Sequence, residues 1–148
     1  MPFATIDAGR DAILGHLKTG WDAAYAPVAA PLVAWPDNLT ETPKSAAVWL
    51  RPIWQTRRRF QVTLGPVGGR RFRHTGTLNV EVRTPMGAGM QDSDLAVDRV
   101  VDIFEGQTTG PDAVIFRDVT PQEIGPDPEG HTWYLVRVKV NFEFDHFR

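Results

Sequence analysis

Alternating hydrophobic and polar positions near the C-terminus give the clearest structural signal in this chain. Over Tyr134–Phe144 almost every second residue is valine or aromatic, and most residues between them are polar or charged. A repeat of two residues indicates a β-strand with one buried face. The segment Thr77–Thr84 has the same repeat, with Leu78, Val80 and Val82 on the apolar side. The side predicted to face solvent consists of Asn79, Glu81 and Arg83.

A corner and a helix are predicted directly after the second of these strands. Pro85–Gly89 contains a proline, which cannot donate to a sheet, and two glycines, which allow backbone angles that other residues avoid. We expect Asp92, Ser93 and Asp94 to cap the first helical turn and Gly106 to end the helix. Apolar residues recur at helical spacing in between, at Val97, Val100, Val101 and Phe104.

The remaining segments predict one more helix and further strands. Thr5–Tyr25 carries its larger apolar residues on one helical face, and prolines then restrict Val28–Ala30 and Leu32–Trp35 to extended pieces. Four more predictions are a strand over Ala46–Trp54 that is either an edge strand or broken at Pro52, a hairpin of Arg57–Leu64 with Arg70–His74, a strand over Asp112–Thr120, and a loop over Pro121–Gly130. Together these elements predict a single α+β domain, residues 1–148: a mostly antiparallel β-sheet with an N-terminal and a central helix packed on one face.

The net charge of −2 hides two regions of opposite sign. Between Lys44 and Val80 there is no Asp or Glu, and this segment holds eight of the sixteen basic residues. The rest of the chain has a net charge of −10, because it contains the other eight basic residues and all eighteen acidic ones. Such a separation favours a surface that meets opposite charge on nucleic acid, on another protein or on a second copy of the chain.

Six of the eight basic residues of the segment Lys44–Val80 fall on the predicted hairpin, and an acidic stripe falls on the central helix. The hairpin could be a nucleic-acid surface, although it has no recognised nucleic-acid motif, or a solvated turn, or an interface element. The stripe could be a solvated helix face or the partner of basic residues on a neighbouring subunit, because its members recur every four residues. The residues of these candidate interfaces are Arg57, Arg58, Arg59, Arg70, Arg71, Arg73, Asp94, Asp98 and Asp102.

Composition and spacing argue against an enzyme, a metal site or a bound cofactor. The chain has no cysteine, and its four histidines are scattered without the spacing of metal ligands. Gly87-Ala88-Gly89 lacks the third glycine of a dinucleotide fingerprint, and Asp92 and Asp94 would repel a phosphate there. No apolar run approaches the roughly 20 residues that span a bilayer, and no secretion signal is visible. We therefore expect a soluble, unexported protein with no membrane association.

The order of elements around the central helix resembles the tail terminator proteins of long-tailed bacteriophages. The similarity covers roughly the last two thirds of the chain and rests on order and spacing. The segments that carry it are Gly76–Val82, Pro85–Gly89, Leu95–Val100, Ile103–Phe104 and the aromatic-acid pair Phe144–Asp145. The resemblance implies the same α+β architecture and a structural role in the virion, with no catalytic residue.

The same resemblance implies a ring, typically a hexamer, at the head-proximal end of the phage tail. Such a ring stops polymerisation of the tail tube protein and offers a docking surface to head completion or connector proteins, while DNA passes through without specific binding. Assembly would take place in the host cytoplasm. The loops Gly65–Gly69 and Pro121–Gly130 are candidate docking surfaces. Two alternatives stay open: another neck or head-tail joining protein, and a nucleic-acid-binding domain with a basic surface.

Overall fold

Two helices cover one face of a five-stranded antiparallel β-sheet in the computed structural model, which describes residues 5–36, 48–109, 114–128, 130 and 132–148. The strands lie in the order β1-β2-β5-β4-β3. The elements are α1 (Ile6–Tyr25), β1 (Trp49–Gln61), β2 (Arg71–Pro85), α2 (Gln91–Phe104), β3 (Thr108–Thr109), β4 (Val114–Pro126) and β5 (Trp133–Phe147). The α+β class, with both helices on one face, is confirmed.

The two longest strands form the centre of the sheet. β2 and β5 pair along their whole length, from Arg71 opposite Phe147 to Pro85 opposite Trp133. Both predicted half-buried strands lie inside this pair, and both are longer than their sequence pattern indicated. The apolar positions of the two strands, such as Val80 opposite Val138, face the helices and form the core. Each buried valine removes enough apolar surface from water to contribute about 1.5 to 3 kcal/mol.

α1 packs on the sheet through glycines as well as through large side chains. Thr5 caps the helix by accepting a hydrogen bond from the Ala8 amide, and Leu17 and Trp21 are fully buried. At Gly20 an added Cβ would lie 2.8 Å from Ile103 of α2, so a larger residue would force the helices apart. Gly9 is a second close contact point, since an added Cβ there would clash with the Phe144 ring of β5.

α2 confirms the predicted helix but not its predicted cap. Its first turn begins after Met90, and no side chain makes a capping hydrogen bond. Ser93 is fully buried instead of capping, while Asp92 and Asp94 lie exposed in the first turn. The predicted role of these three residues as caps is wrong. The two carboxylates still lie close to the positive end of the helix dipole.

Two strand boundaries differ from the sequence prediction, and both differences involve a proline. β1 is continuous from Trp49 to Gln61, since Pro52 lies in an edge strand and the irregularity falls after Trp54. The predicted loop Pro121–Gly130 is strand as far as Pro126. The pairing of β4 with β5 absorbs two register shifts there, so the prolines and glycine do not end it.

Three further predictions concern smaller pieces. Residues 32–34 run beside β1 and form a parallel bridge from Val33 to Leu50, in agreement with the predicted extended piece. The short strand β3 has no counterpart in the prediction. The first residues of the predicted Ala46–Trp54 strand and the start of the predicted Asp112–Thr120 strand lie outside the described residues.

The face of the sheet opposite the helices is not a simple solvent face. Glu81 and Arg83 are only 6% and 8% exposed, and Asn79 is equally buried. On β5, Leu135 of the same face is also buried. The prediction that these β2 residues face water is therefore wrong, because long side chains of the neighbouring strands cover them.

Candidate assembly surfaces

The basic residues lie on a narrow arm at one end of the sheet. This arm consists of residues 57–75 of the β1–β2 hairpin and the paired end of β5, residues 143–148. A turn closed by a hydrogen bond from the Gly69 amide to the Pro66 carbonyl forms the tip. Leu64 and Val67 at this tip are 96% and 84% exposed. Two apolar side chains so open to water at the end of a protruding hairpin suit contact with another molecule.

Two of the arginines are neutralised inside the arm. Arg73 makes two hydrogen bonds to the carboxylate of Asp145, at 2.8 and 3.1 Å, and Arg71 lies 3.3 Å from the same carboxylate. The hydrogen bond to Asp145 raises the pKa of Arg73 above its usual value. A bidentate pair fixes both partners in direction. Arg71 and Arg73 therefore hold β2 to β5 in addition to contributing charge.

The other four arginines of the arm differ in how strongly contacts within the chain fix their side chains. The Arg70 side chain donates to the Gly65 carbonyl at 2.7 Å and so braces the turn, and Arg59 lies over the Phe72 ring at 4.5 Å. Arg57 and Arg58 are exposed, with no carboxylate partner among the described residues. They lie on opposite faces of the arm because strand residues alternate. These two cations are the ones available to a partner.

The acidic stripe lies on the helical side of the sheet, and its helix starts at the other end of β2. Asp94, Asp98 and Asp102 are exposed on α2, and none has a cationic partner in the described part of the chain. The tip precedes Arg71 and α2 follows Pro85, and a 15-residue strand between them spans roughly 45 to 50 Å. The structure does not bring the arginines and the aspartates together within one chain.

A groove runs between the two helices next to the acidic stripe. Gly20, Ala23 and Ala24 of α1 form one wall, and Asp102 and Ile103 of α2 form part of the other. Small residues on α1 leave a cavity of about 420 Å³ that opens to solvent. A groove with an apolar wall and a carboxylate on its rim can accept an apolar side chain that is accompanied by a cation.

Two histidines lie buried where the arm joins the core. Nε2 of His74 is 2.7 Å from Nδ1 of His146, so one ring donates to the other. His74 is 1% exposed and stacks on Phe144. Burial, reinforced by the positive charge of His146 and of Arg57 and Arg59, lowers the pKa of His74 to about 4. Burial also lowers the pKa of His146. Both rings are therefore neutral at pH 7.

A buried ion pair lies on the opposite face of the sheet. The Arg83 guanidinium contacts Glu81 at 2.7 Å and Asp127 at 3.3 Å, and it also lies 5.1 Å from the centre of the Trp49 ring. Trp49 meets Trp133 edge to face at 5.7 Å. A buried charge needs such partners because desolvation costs several kcal/mol. This cluster is structural, since its charges are neutralised within the chain.

The described residues hold no group of three or more His, Cys, Asp or Glu side chains that could hold a metal ion. Gly87 and Gly89 both have φ of +83°, which suits the tight corner between β2 and α2. Among the described helices none is long and apolar enough to cross a membrane.

The sequence matches the family model of the phage tail terminator protein over residues 10–142, which is most of the chain. The chain belongs to the phage tail terminator family. This membership makes it a structural protein of the phage tail, in agreement with the resemblance seen in the sequence. The terminator match includes α1 from Arg10 onward and all five strands that the structure describes, up to Phe142 of β5.

A comparison with solved structures gives the same fold. One solved protein, whose name says nothing of its function, is 21% identical, with a TM-score of 0.62 over 94% of this terminator chain and 97% of the other. No curated protein sequence matches. At this identity the solved structure supports the architecture alone.

Sequence reasoning missed the terminator features that depend on pairs distant in the chain. The partners in the histidine pair, and those in the Arg73–Asp145 pair, are each 72 residues apart. Once β2 and β5 are aligned as neighbours, the register places both pairs side by side. The signal that could have found them is the shared aromatic and charged alternation at the ends of the two strands.

Proposed function

We propose that this protein ends tail-tube growth by forming a closed ring on the head-proximal end of the tube. In this proposal six copies associate head to tail, and the ring covers the growing interface of the tail tube protein. Its outer side receives head completion or connector proteins, and DNA passes through the ring without specific contacts. Assembly takes place in the host cytoplasm, and no reaction is catalysed.

The family membership over residues 10–142 carries this proposal. The charge distribution supports the ring, since exposed arginines at one end of β2 and exposed aspartates on α2 are complementary between copies. A contact between two different surfaces repeats in one direction and closes into a ring when the rotation allows. A two-fold axis passing through either surface alone would instead place like charges together.

The residues of the proposed subunit contact lie on two surfaces, the arm and α2. Arg57 and Arg58 are the basic side of the proposed subunit contact, and Asp94, Asp98 and Asp102 are the acidic side. Arg59, Arg70, Arg71 and Arg73 shape the arm that presents them, through the stacking, bracing and ion-pair contacts described above. The turn Gly65–Gly69 stays a docking candidate, whereas most of the segment Pro121–Gly130 belongs to β4.

An assembly reaction tests the function. Purified protein is added to tail tubes that assemble from their own components without a terminator, and tube lengths are measured by electron microscopy. We expect tubes of uniform length with a ring at one end. Overlong tubes in the presence of excess protein would refute the proposal. Tight, salt-sensitive binding of duplex DNA by the same preparation would instead favour a nucleic-acid-binding domain.

A further inference from the structure

We propose that the apolar tip of the arm of one copy docks in the groove between α1 and α2 of the next copy. This inference rests on the proposed ring and identifies its subunit contact. The tip contributes Leu64 and Val67, and the groove is the one lined by Gly20, Ala23 and Ala24. The partner is thus a second copy of this chain.

The tip needs a partner more than any other apolar site described on the surface. Leu64 and Val67 are the two most exposed large apolar residues of the described chain. The Arg70 bond to Gly65 and the closed turn hold them at the end of the arm instead of letting them fold back. Burying both side chains in a contact would remove apolar surface that is otherwise in water.

The groove is complementary to the tip in shape and in charge. Its α1 wall consists mainly of small residues, so side chains the size of leucine and valine fit between the helices. Arg99, whose guanidinium is held over the Tyr25 ring, also lines the groove. Asp102 lies on its rim, with Asp98 one helical turn away, and both are exposed. Arg57 and Arg58 precede the tip on β1 of the same arm and lie on its opposite faces, so one of them would face the acidic rim. An apolar centre surrounded by paired charges is the ordinary anatomy of a protein interface.

The geometry of the chain makes the contact intermolecular. Leu64 and Val67 are almost fully exposed, so the tip does not lie in the groove of its own chain, and the paired strands of the arm cannot fold back over the helices. A molecule therefore cannot fill its own groove. Each copy offers one tip and one groove, which is the condition for a head-to-tail series.

Engineered cysteines test this contact, because the chain has none of its own. The double variant Leu64→Cys with Ala23→Cys is oxidised on tubes capped in the assembly reaction and in concentrated solution. We expect disulfide-linked dimers and larger species up to a closed ring. The matched control pairs Leu64→Cys with Asp11→Cys, which is exposed on the opposite flank of α1. The control pair and each single variant should give no such series.

The outcomes separate this contact from the proposed function. Capped tubes of uniform length without Leu64–Ala23 crosslinks would overturn the contact and leave the terminator role standing. Crosslinks equally strong in the Asp11 control would also overturn it, because the tip would then be touching α1 unspecifically. Crosslinked rings that fail to limit tube length would support the contact and refute the proposed function. Thermal melts of each variant confirm that it is folded, as expected for substitutions at exposed positions.

Discussion

At the scale of single residues, the buried histidine pair makes stability depend on pH. The unfolded chain protonates His74 near pH 6.5, whereas the folded protein does so only near pH 4. Between these values the unfolded state binds more protons, so acidification favours unfolding. Arg57 and Arg59 contribute to this effect because they lie close to the ring, and Asp145 opposes it.

We expect the free energy of unfolding to fall by about 3 kcal/mol between pH 7 and pH 4 on account of His74. His74→Gln removes the titrating ring and keeps an amide that can donate to His146. Urea unfolding of both proteins at several pH values measures the effect. The variant should show a flatter pH dependence over this range; an unchanged slope would mean that His74 already titrates normally in the folded protein.

The buried ion pair on the opposite face gives a second expectation at this scale. Replacing Arg83 by alanine removes the buried cation that contacts Glu81 at 2.7 Å, so we expect a loss of about 3 to 5 kcal/mol in the free energy of unfolding. Arg117→Ala is the matched control, since it breaks an exposed pair with Glu143 and should cost about 1 kcal/mol or less. Chemical denaturation measures both, and equal losses would contradict the buried role of Arg83.

At the scale of elements, the sequence predicted those that depend on local repeats. The period of two in β5 and the helical spacing in α2 both arise from side chains that meet one apolar layer, so the pattern is visible without the fold. At Pro52 the sequence left an edge strand and a broken strand open, because the cost of a proline depends on whether its strand lies at a sheet edge, and the structure shows the edge strand. The prediction of a loop from Pro121 onward was wrong for the same reason. β4 pairs with β5 on one side there, so a proline does not end the strand.

The sequence predicted the charge of the candidate surfaces but not which of their side chains are free, because that depends on contacts between neighbouring strands of the sheet. The clustering of arginines is a property of the sequence, but which arginines are free depends on Asp145, far along the chain. The burial of Glu81 likewise depends on neighbours from two other strands. The sequence therefore showed that the arm is positively charged. The register of β2 with β5 shows that Arg57 and Arg58 are the two arginines available to a partner.

At the scale of the whole molecule, the charges on the arm and on α2 predict a swap experiment. Arg57→Glu with Arg58→Glu should weaken subunit association, because two acidic surfaces would then meet. Asp98→Arg with Asp102→Arg should do the same from the other side. The protein carrying all four changes should recover assembly.

Sedimentation measures subunit association in these charge-reversed variants, and tube length measures their function. Each charge-reversed pair alone should give overlong tubes while its thermal melt stays cooperative. A mixture of the two reversed proteins provides an internal control, because each arm then meets an α2 surface of opposite charge on the other protein, so alternating copies should recover assembly and close a ring. Failure of the fourfold variant to recover would show that these charges do not face one another.

The unbroken length of β2 has a consequence for the size of any ring. A paired strand resists stretching, so β2 and the helix α2 packed on the sheet together fix the distance between the tip and the groove on each copy. The twist of β2 likewise fixes the orientation of the tip relative to the groove, and therefore the angle between neighbouring subunits. The circumference of the ring would then be encoded in the number of residues of a strand, and the loops could vary between related phages without changing how many subunits close it.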